Sequence, residues 1–207
     1  EEGIMAMGAL ALSMVGIVSL APVLANILRP IVGPVYAALG ADPAMFATTL
    51  LANDMGGYPL AMSLAQDPMV GKFAGLILGS MMGATVVFTI PVALGIIEKE
   101  DRPYLAKGVL AGMVAIPFGC LVGGLVAGFP LMTVLRNLVP IIIFAVLIII
   151  GLWLIPEKMI KGFTYFGTGV VVVITIGLAA AIIEKLTGKV IIRGMAPIDE
   201  GMGIIWS

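Results

Sequence analysis

The stretch Pro43–Gln66 reads PAMFATTLLANDMGGYPLAMSLAQ, and Asp54 is its only charged residue. Gly56, Gly57 and Pro59 follow Asp54 almost at once, and residues of these types break a helix. An ionisable side chain at bilayer depth is costly unless a partner, a cavity or a substrate compensates it, so Asp54 is a functional-site candidate. Irregular backbone is tolerated inside hydrocarbon only where protein or a water-filled cavity satisfies its polar groups. The stretch therefore predicts a broken segment inside a membrane protein.

The composition indicates an integral membrane protein. The chain is 61% hydrophobic and 11% charged, whereas soluble domains carry about 25% charged residues. Several charge-free runs have at least the roughly 20 residues that a spanning helix needs. We therefore predict an all-α fold, a polytopic transmembrane helical bundle embedded in the lipid bilayer. The charge-free runs are Gly3–Leu28, Phe73–Ile97, Gly108–Leu135, Asn137–Pro156 and Gly162–Ile183.

Other features of the composition exclude several classes of function. A net charge of −1 argues against nucleic acid as a partner. The absence of histidine removes the commonest metal ligand and the usual proton shuttle near neutral pH. Cys120 is the single cysteine, so no intrachain disulfide and no Cys/His pair can form. We expect no metal, no cofactor and no enzymatic activity.

The broken segment has the dimensions of a re-entrant hairpin. Asp42 and Pro43 are typical of a helix start, with Asp as the N-cap, and Asp67 repeats the signal before the next span. A helix from Pro43 to Asn53 is about 16 Å long, roughly half of a bilayer core. The returning piece, Leu60–Gln66, is of similar length. We favour a hairpin whose tip is near the midplane, although one broken spanning helix remains an alternative.

Prolines and glycines predict helix ends and packing faces. The first span, roughly Ile4–Leu28, is expected to close on Arg29-Pro30, and Pro91 and Pro117 are expected to kink their helices. Glycines at four-residue spacing place small residues on one face, which lets helices approach closely in a bilayer. We expect such faces to pack against another helix; a sliding surface is the alternative. They are Gly75/Gly79/Gly83, Gly119/Gly123 and Gly124/Gly128.

A short sequence similarity between the two ends of the chain predicts the domain organisation. The opening EEGIM (1–5) recurs as DEGM (199–202), and each precedes an apolar run. We interpret residues 1–198 as the first structural repeat of a transporter, with about five spanning helices plus the broken segment at 43–66. Residues 199–207 would then begin a second, truncated repeat, so the chain would be an interior portion of a longer protein. Five crossings per repeat would make the second copy inverted, a recurring plan for secondary transporters.

The sequence as a whole resembles the ethanolamine-utilisation transporter family, EutH. The resemblance runs in order along nearly the whole chain. The stretches that carry it are EEGIMAMGALALSMVGIVSLAPVLA (1–25), TTLLANDMGGY (48–58), GLILGSMMGATVVFTIPVALGIIE (75–98), FGCLVGGLVAG (118–128), IPEKMIKGF (155–163) and VITIGLAAAIIEKL (173–186).

The resemblance implies a permease of the bacterial cytoplasmic (inner) membrane, multi-pass, that admits ethanolamine for breakdown. Family members are about twice as long as this chain. Ethanolamine is a primary ammonium with one hydroxyl, so its passage needs an anionic partner or a solvated path. The resemblance leaves open whether the protein forms a homo-oligomer.

The sequence offers a set of substrate-binding candidates around the predicted break. Asp54 can supply the anion, and Asn53 can bond to the hydroxyl. Freed carbonyls from Met55 to Gly57 can accept ammonium protons, and the Tyr58 ring can form a cation–π contact. Carboxylates at the ends of the apolar runs are either interface charges or vestibule groups that recruit the amine. The candidate substrate-binding residues are Asp54, Asn53, Gly56, Gly57, Tyr58, Glu2 and Glu200.

Three other functions remain open from the sequence. In the membrane subunit of an ion-translocating pump, Asp54 would bind Na⁺ or H⁺. In a structural membrane protein, Asp54 would only satisfy backbone groups. In a transporter for another small amine such as choline, an aromatic cage is expected, and Tyr58 with Phe46 makes a thin one.

Overall fold

A computed structural model describes residues 2–85 and 98–199 of the chain. This part is helical and contains no strand, which confirms the predicted all-α class. Within this part, two π-helical segments, Asn53–Gly57 and Phe73–Gly83, and a short 3₁₀ turn, Lys99–Asp101, interrupt the series of α-helices. The α-helices are α1 (Glu2–Ala38), α2 (Ala44–Leu50), α3 (Tyr58–Leu64), α4 (Pro68–Lys72), α5 (Arg102–Val126), α6 (Leu131–Leu154) and α7 (Pro156–Thr187).

Within the described residues, three helical stretches are long and apolar enough to cross a membrane. They are Met14–Ala38, Leu131–Gly151 and Thr168–Thr187, and Ala111–Val126 is a shorter apolar helix. The protein is therefore a membrane protein. The second half of the predicted Phe73–Ile97 span, with the kink expected at Pro91, lies outside the described residues, as do residues 200–207. The repeat organisation stays a prediction.

Helix α1 continues past the point where the sequence predicts its end. It runs through Arg29-Pro30 to Ala38, so the predicted closure at Arg29-Pro30 is wrong. A proline removes only one helical hydrogen bond, and packing of the following turns offsets that loss. Val32 is buried, and the Tyr36 ring meets the Phe46 ring edge-on at 6.3 Å between centroids. The last turns of α1 thus pack against the segment that follows.

The segment between Pro43 and Gln66 doubles back on itself. Helices α2 and α3 are seven residues each and contact one another. The carboxylate of Asp42, before α2, accepts hydrogen bonds from the N–H groups of Gln66 and Asp67, after α3. The two ends of the segment therefore meet, which favours the hairpin over a single broken spanning helix.

A π-helix, Phe73–Gly83, continues directly from α4 and lies between the hairpin and α5. Its glycines face the hairpin, whereas Ile77 and Met81 face Gly119 and Gly123 of α5. Buried side chains of the hairpin, the π-helix, α5 and α6 form one continuous core. The π-helix is therefore a central layer that supports one side of the hairpin.

The prediction that Gly124 and Gly128 form one packing face is wrong at Gly128. Gly128 lies beyond α5, with φ of +84°, and a Cβ at this position would meet nothing within 4 Å. It makes the turn into α6, where the N–H of Phe129 bonds to the carbonyl of Gly124 at 2.9 Å. The charge-free run Gly108–Leu135 therefore belongs to two helices.

Candidate functional site at the hairpin tip

The backbone breaks at the tip of the hairpin, which we define as residues 51–58, including the first residue of α3. Helix α2 ends at Leu50, and Leu51 and Ala52 are extended, with ψ angles of 136° and 152°. A five-residue π-helical turn follows, Asn53–Gly57. The prediction of a broken segment is confirmed, but the break begins two residues before Asn53. Residue types alone did not reveal this, because Leu51 and Ala52 are ordinary helix formers.

Two glycines allow the tip to form. Gly56 has φ of +86°, a conformation that side chains rarely adopt. A Cβ at Gly56 would overlap the side chain of Ile17 in α1. A Cβ at Gly57 would lie 2.6 Å from the carbonyl oxygens of both Leu51 and Ala52. The Gly-Gly pair is thus required both for the turn and for close contact with α1.

The glycine face of the π-helix packs directly on the tip. A Cβ at Gly75 would overlap the Tyr58 ring, and a Cβ at Gly83 would overlap the Leu51 carbonyl. At Gly79 the nearest atoms belong to Thr48 and Asn53, at 3.2 Å. The prediction that this face packs against another helical segment at short range is confirmed. Its partner is the broken segment itself, which the sequence pattern did not identify.

The structure brings five of the predicted site residues together and separates a sixth. Asn53 and Tyr58 are half-buried beside the buried Gly56 and Gly57, and Asp54 belongs to the same turn. Glu2 begins α1, whereas Ile17 of that helix contacts the tip. At 1.5 Å per residue, the two positions are about 22 Å apart along the helix. Glu2 therefore lies away from the tip, and Glu200 lies outside the described residues.

A buried hydroxyl near the break was not singled out by the sequence. Thr48 of α2 is fully buried, and its Oγ1 has no hydrogen-bond partner. The methyl group of Thr48 and the backbone N of Asn53 both lie 3.2 Å from the Cβ position on Gly79. Ser19 of α1 is a second buried hydroxyl of this kind. Buried hydroxyls normally find a partner, so Thr48 is an unused polar group beside the tip.

Asp42 organises the opposite end of the hairpin, which we call the base. Its Oδ1 accepts from the N–H of Ala44 at 2.8 Å, as predicted for a residue that caps α2. Its Oδ2 accepts from the N–H groups of Gln66 and Asp67, each at 2.9 Å. Hydrogen bonds to a charged group contribute about 1.5–3 kcal/mol each. The sequence indicated the local cap, but it gave no signal for bonds to residues 24 and 25 positions away.

Two cavities lie beside the hairpin. One, of about 380 Å³, has apolar walls from α1, the hairpin and α7, including Ile17, Phe46 and Phe166. The other, of about 430 Å³, is polar and lies at the base, where Asp42, Asp67, Arg136 and Asn137 line it. Among the described residues, no group of three or more His, Cys, Asp or Glu is arranged to hold a metal ion.

The family model described as "Ethanolamine utilisation protein, EutH" matches residues 1–207. The chain belongs to the EutH family. The resemblance drawn from the sequence is thereby confirmed. No solved structure matches the chain.

Curated relatives match nearly the whole of this chain. The chain is 69% identical over 205 residues to a protein of Listeria monocytogenes named "Probable ethanolamine permease EutH", and the match covers 99% of this chain and 55% of the relative. It is 56% identical to an Escherichia coli protein of the same name, over 98% of this chain and 53% of the relative. A Bacillus subtilis relative, 55% identical over 97% of this chain and 54% of its own length, is named "Uncharacterized protein YxeR". The chain thus spans about half the length of the curated relatives it matches. The permease names describe transporters, in agreement with the expectation of a non-enzymatic protein.

Proposed function

We propose that the protein is a multi-pass permease of the bacterial cytoplasmic membrane that takes up ethanolamine, with Asp54 at the hairpin tip binding the ammonium group. Two relatives in the EutH family are named probable ethanolamine permeases, which supports the substrate. The apolar helices support the membrane setting.

The observation that carries this proposal is the hairpin with a broken, buried tip. Broken helical segments near the bilayer midplane expose backbone groups to substrates and ions in many transporters. Here the break is enclosed by Ile17 of α1 on one side and by the glycine face of the π-helix on another. Asp54, the only carboxylate between Pro43 and Gln66, is in that turn.

The residues of the tip divide the recognition of ethanolamine among them. In this proposal Asp54 provides the negative charge, and the amide of Asn53 pairs with the substrate hydroxyl. The Tyr58 ring, which lies against Gly75, offers a face to the ammonium, worth about 0.5–2 kcal/mol. The unused Oγ1 of Thr48 is a further acceptor within the same region.

Uptake of labelled ethanolamine into proteoliposomes containing the full-length protein tests the proposal. Asp54→Asn should abolish saturable uptake, because it removes the anion without changing the size of the side chain. Asn53→Ala should weaken binding by about 0.5–1.5 kcal/mol, the contribution of one neutral hydrogen bond. Asp101→Asn is the matched control, since Asp101 is exposed in the 3₁₀ turn before α5.

Each other outcome points to a specific alternative. Wild-type uptake by Asp54→Asn would contradict the assignment of Asp54, and Glu2 and Glu200 would become the leading carboxylates. Uptake that requires a Na⁺ or H⁺ gradient would identify coupled transport. Ion movement without ethanolamine would favour the membrane subunit of a pump. Stronger competition by choline than by unlabelled ethanolamine would identify choline as the preferred substrate.

A further inference from the structure

The base of the hairpin is held by directional hydrogen bonds around one buried carboxylate. Asp42 is 8% exposed, and its two oxygens accept from three backbone N–H groups, those of Ala44, Gln66 and Asp67. One of these groups belongs to the start of α2 and two lie beyond α3. A single side chain therefore fixes the separation of the two arms.

The same residue attaches the base to α6. The N–H of Asp42 donates to Oδ1 of Asn137 at 2.7 Å, across 95 positions of sequence. Asn137 is itself held, because its Nδ2 donates to the carbonyl of Thr133 at 2.8 Å, one turn earlier in α6. The hairpin is thus attached to a helix that is long and apolar enough to cross the membrane.

Glycines bring the neighbouring segments close to the tip. Gly56 and Gly57 allow close van der Waals contact with Ile17 and with the neighbouring backbone, and the π-helix presents glycines to Tyr58 and Leu51. Van der Waals contacts of this type restrain distance but restrain orientation weakly, whereas hydrogen bonds restrain both. The hydrogen bonds of the base therefore add a restraint on the orientation of the hairpin that these glycine contacts by themselves supply weakly.

We propose that Asp42 is a positioning residue for ethanolamine transport: it holds the tip, with Asp54, in the geometry that binds the substrate. The uptake test of this inference rests on the proposed function. The hydrogen-exchange test does not depend on the identity of the substrate.

Two Asp→Asn variants at the same end of the hairpin test the inference. Both carboxylates line the polar cavity, but within the described part of the chain the Asp67 side chain accepts only a local bond, from the N–H of Met69. Asp42→Asn replaces one acceptor oxygen with a donor, so it cannot satisfy all three N–H groups. The cavity of about 430 Å³ lets water reach the freed groups, which should allow the variant to fold.

We expect Asp42→Asn to raise the ethanolamine concentration for half-maximal uptake by about tenfold, with the maximal rate per folded protein little changed. Asp67→Asn should leave the ethanolamine concentration for half-maximal uptake within about twofold of the wild-type value. A purely structural role would lower the amount of folded protein and leave the half-saturating concentration unchanged, and that result would overturn the inference. Asn137→Ala keeps the Asp42 carboxylate but removes its attachment to α6. It should raise the half-saturating concentration too, by a smaller factor.

Hydrogen exchange separates this inference from the proposed function. In Asp42→Asn the amides of Gln66 and Asp67 should exchange at least about tenfold faster than in wild type, and those of α6 should not change. Unchanged exchange at these two amides would overturn the inference. Absence of ethanolamine uptake by the wild-type protein would instead reject the proposed function, and the exchange result would still decide whether Asp42 holds the hairpin.

Discussion

The glycine faces of the π-helix and of α5 have the same spacing in the sequence but different partners in the structure. Gly75, Gly79 and Gly83 meet the hairpin tip, and at Gly83 the neighbouring atoms are backbone. Gly119 meets the end of the Met81 side chain, and Gly123 lies nearest to Cγ2 of Ile77, at 3.3 Å. Backbone cannot move aside without disturbing the turn, whereas a methionine tip can rotate away. The comparison teaches that glycine spacing predicts close contact but not how strictly glycine is required.

The largest effect is expected for Gly83→Ala. The added methyl would overlap the Leu51 carbonyl and lie 2.8 Å from the N of Ala52, both in the extended part of the break. Overpacking against such groups costs about 3 kcal/mol or more. The melting temperature in detergent and the yield of monodisperse protein measure this cost. A variant as stable as wild type would show that the break can shift, and that the two faces do not differ.

A smaller effect is expected for Gly75→Ala. The methyl would overlap the Tyr58 ring, which is a side chain and can turn at some cost, about 1–2 kcal/mol. Because Tyr58 is a proposed substrate contact, uptake should weaken along with stability. Gly75→Ala combined with Tyr58→Leu should recover stability but not uptake. Recovery of both by the double variant would remove Tyr58 from the proposed site.

The smallest effect is expected for Gly119→Ala. Its methyl would lie 3.1 Å from the Sδ of Met81, the far end of a flexible chain, so the free energy of unfolding should change by less than about 1 kcal/mol. Gly112→Ala in the same helix is the control, because a Cβ there would meet nothing within 4 Å. Equal losses of stability for Gly119→Ala and Gly83→Ala would contradict the comparison.

Much of the fold could be predicted from the sequence because its signals are local. Asp67 caps α4 by bonding to the N–H of Met69 two residues on, as the Asp-Pro pattern indicated. The glycines at 56 and 57 lie in the break, since the turn needs a positive φ at Gly56. Apolar length indicated the spanning helices. Each of these features depends on a few consecutive residues.

The errors occurred where packing at a distance outweighs a local signal. Pro30 predicted the end of α1, yet contact of Tyr36 with the hairpin holds the helix for two more turns. The glycine at 128 matched a packing pattern but serves a turn. Leu51 and Ala52 favour a helix and are nevertheless extended, because the adjoining π-turn and the glycine face enclose them.

The sequence by itself determined the membrane setting, the helical class, the family and the position of a polar break near Asn53 and Asp54. These follow from composition, helix-breaking residues and motif, which are properties of neighbouring residues. Only the tertiary structure decided that the arms of the segment meet at Asp42, that Asn137 holds them to α6, and that the glycine face covers the tip. Hydrogen bonds and close contacts between residues 24 to 95 positions apart leave no periodic trace in the chain, because they depend on where helices pack.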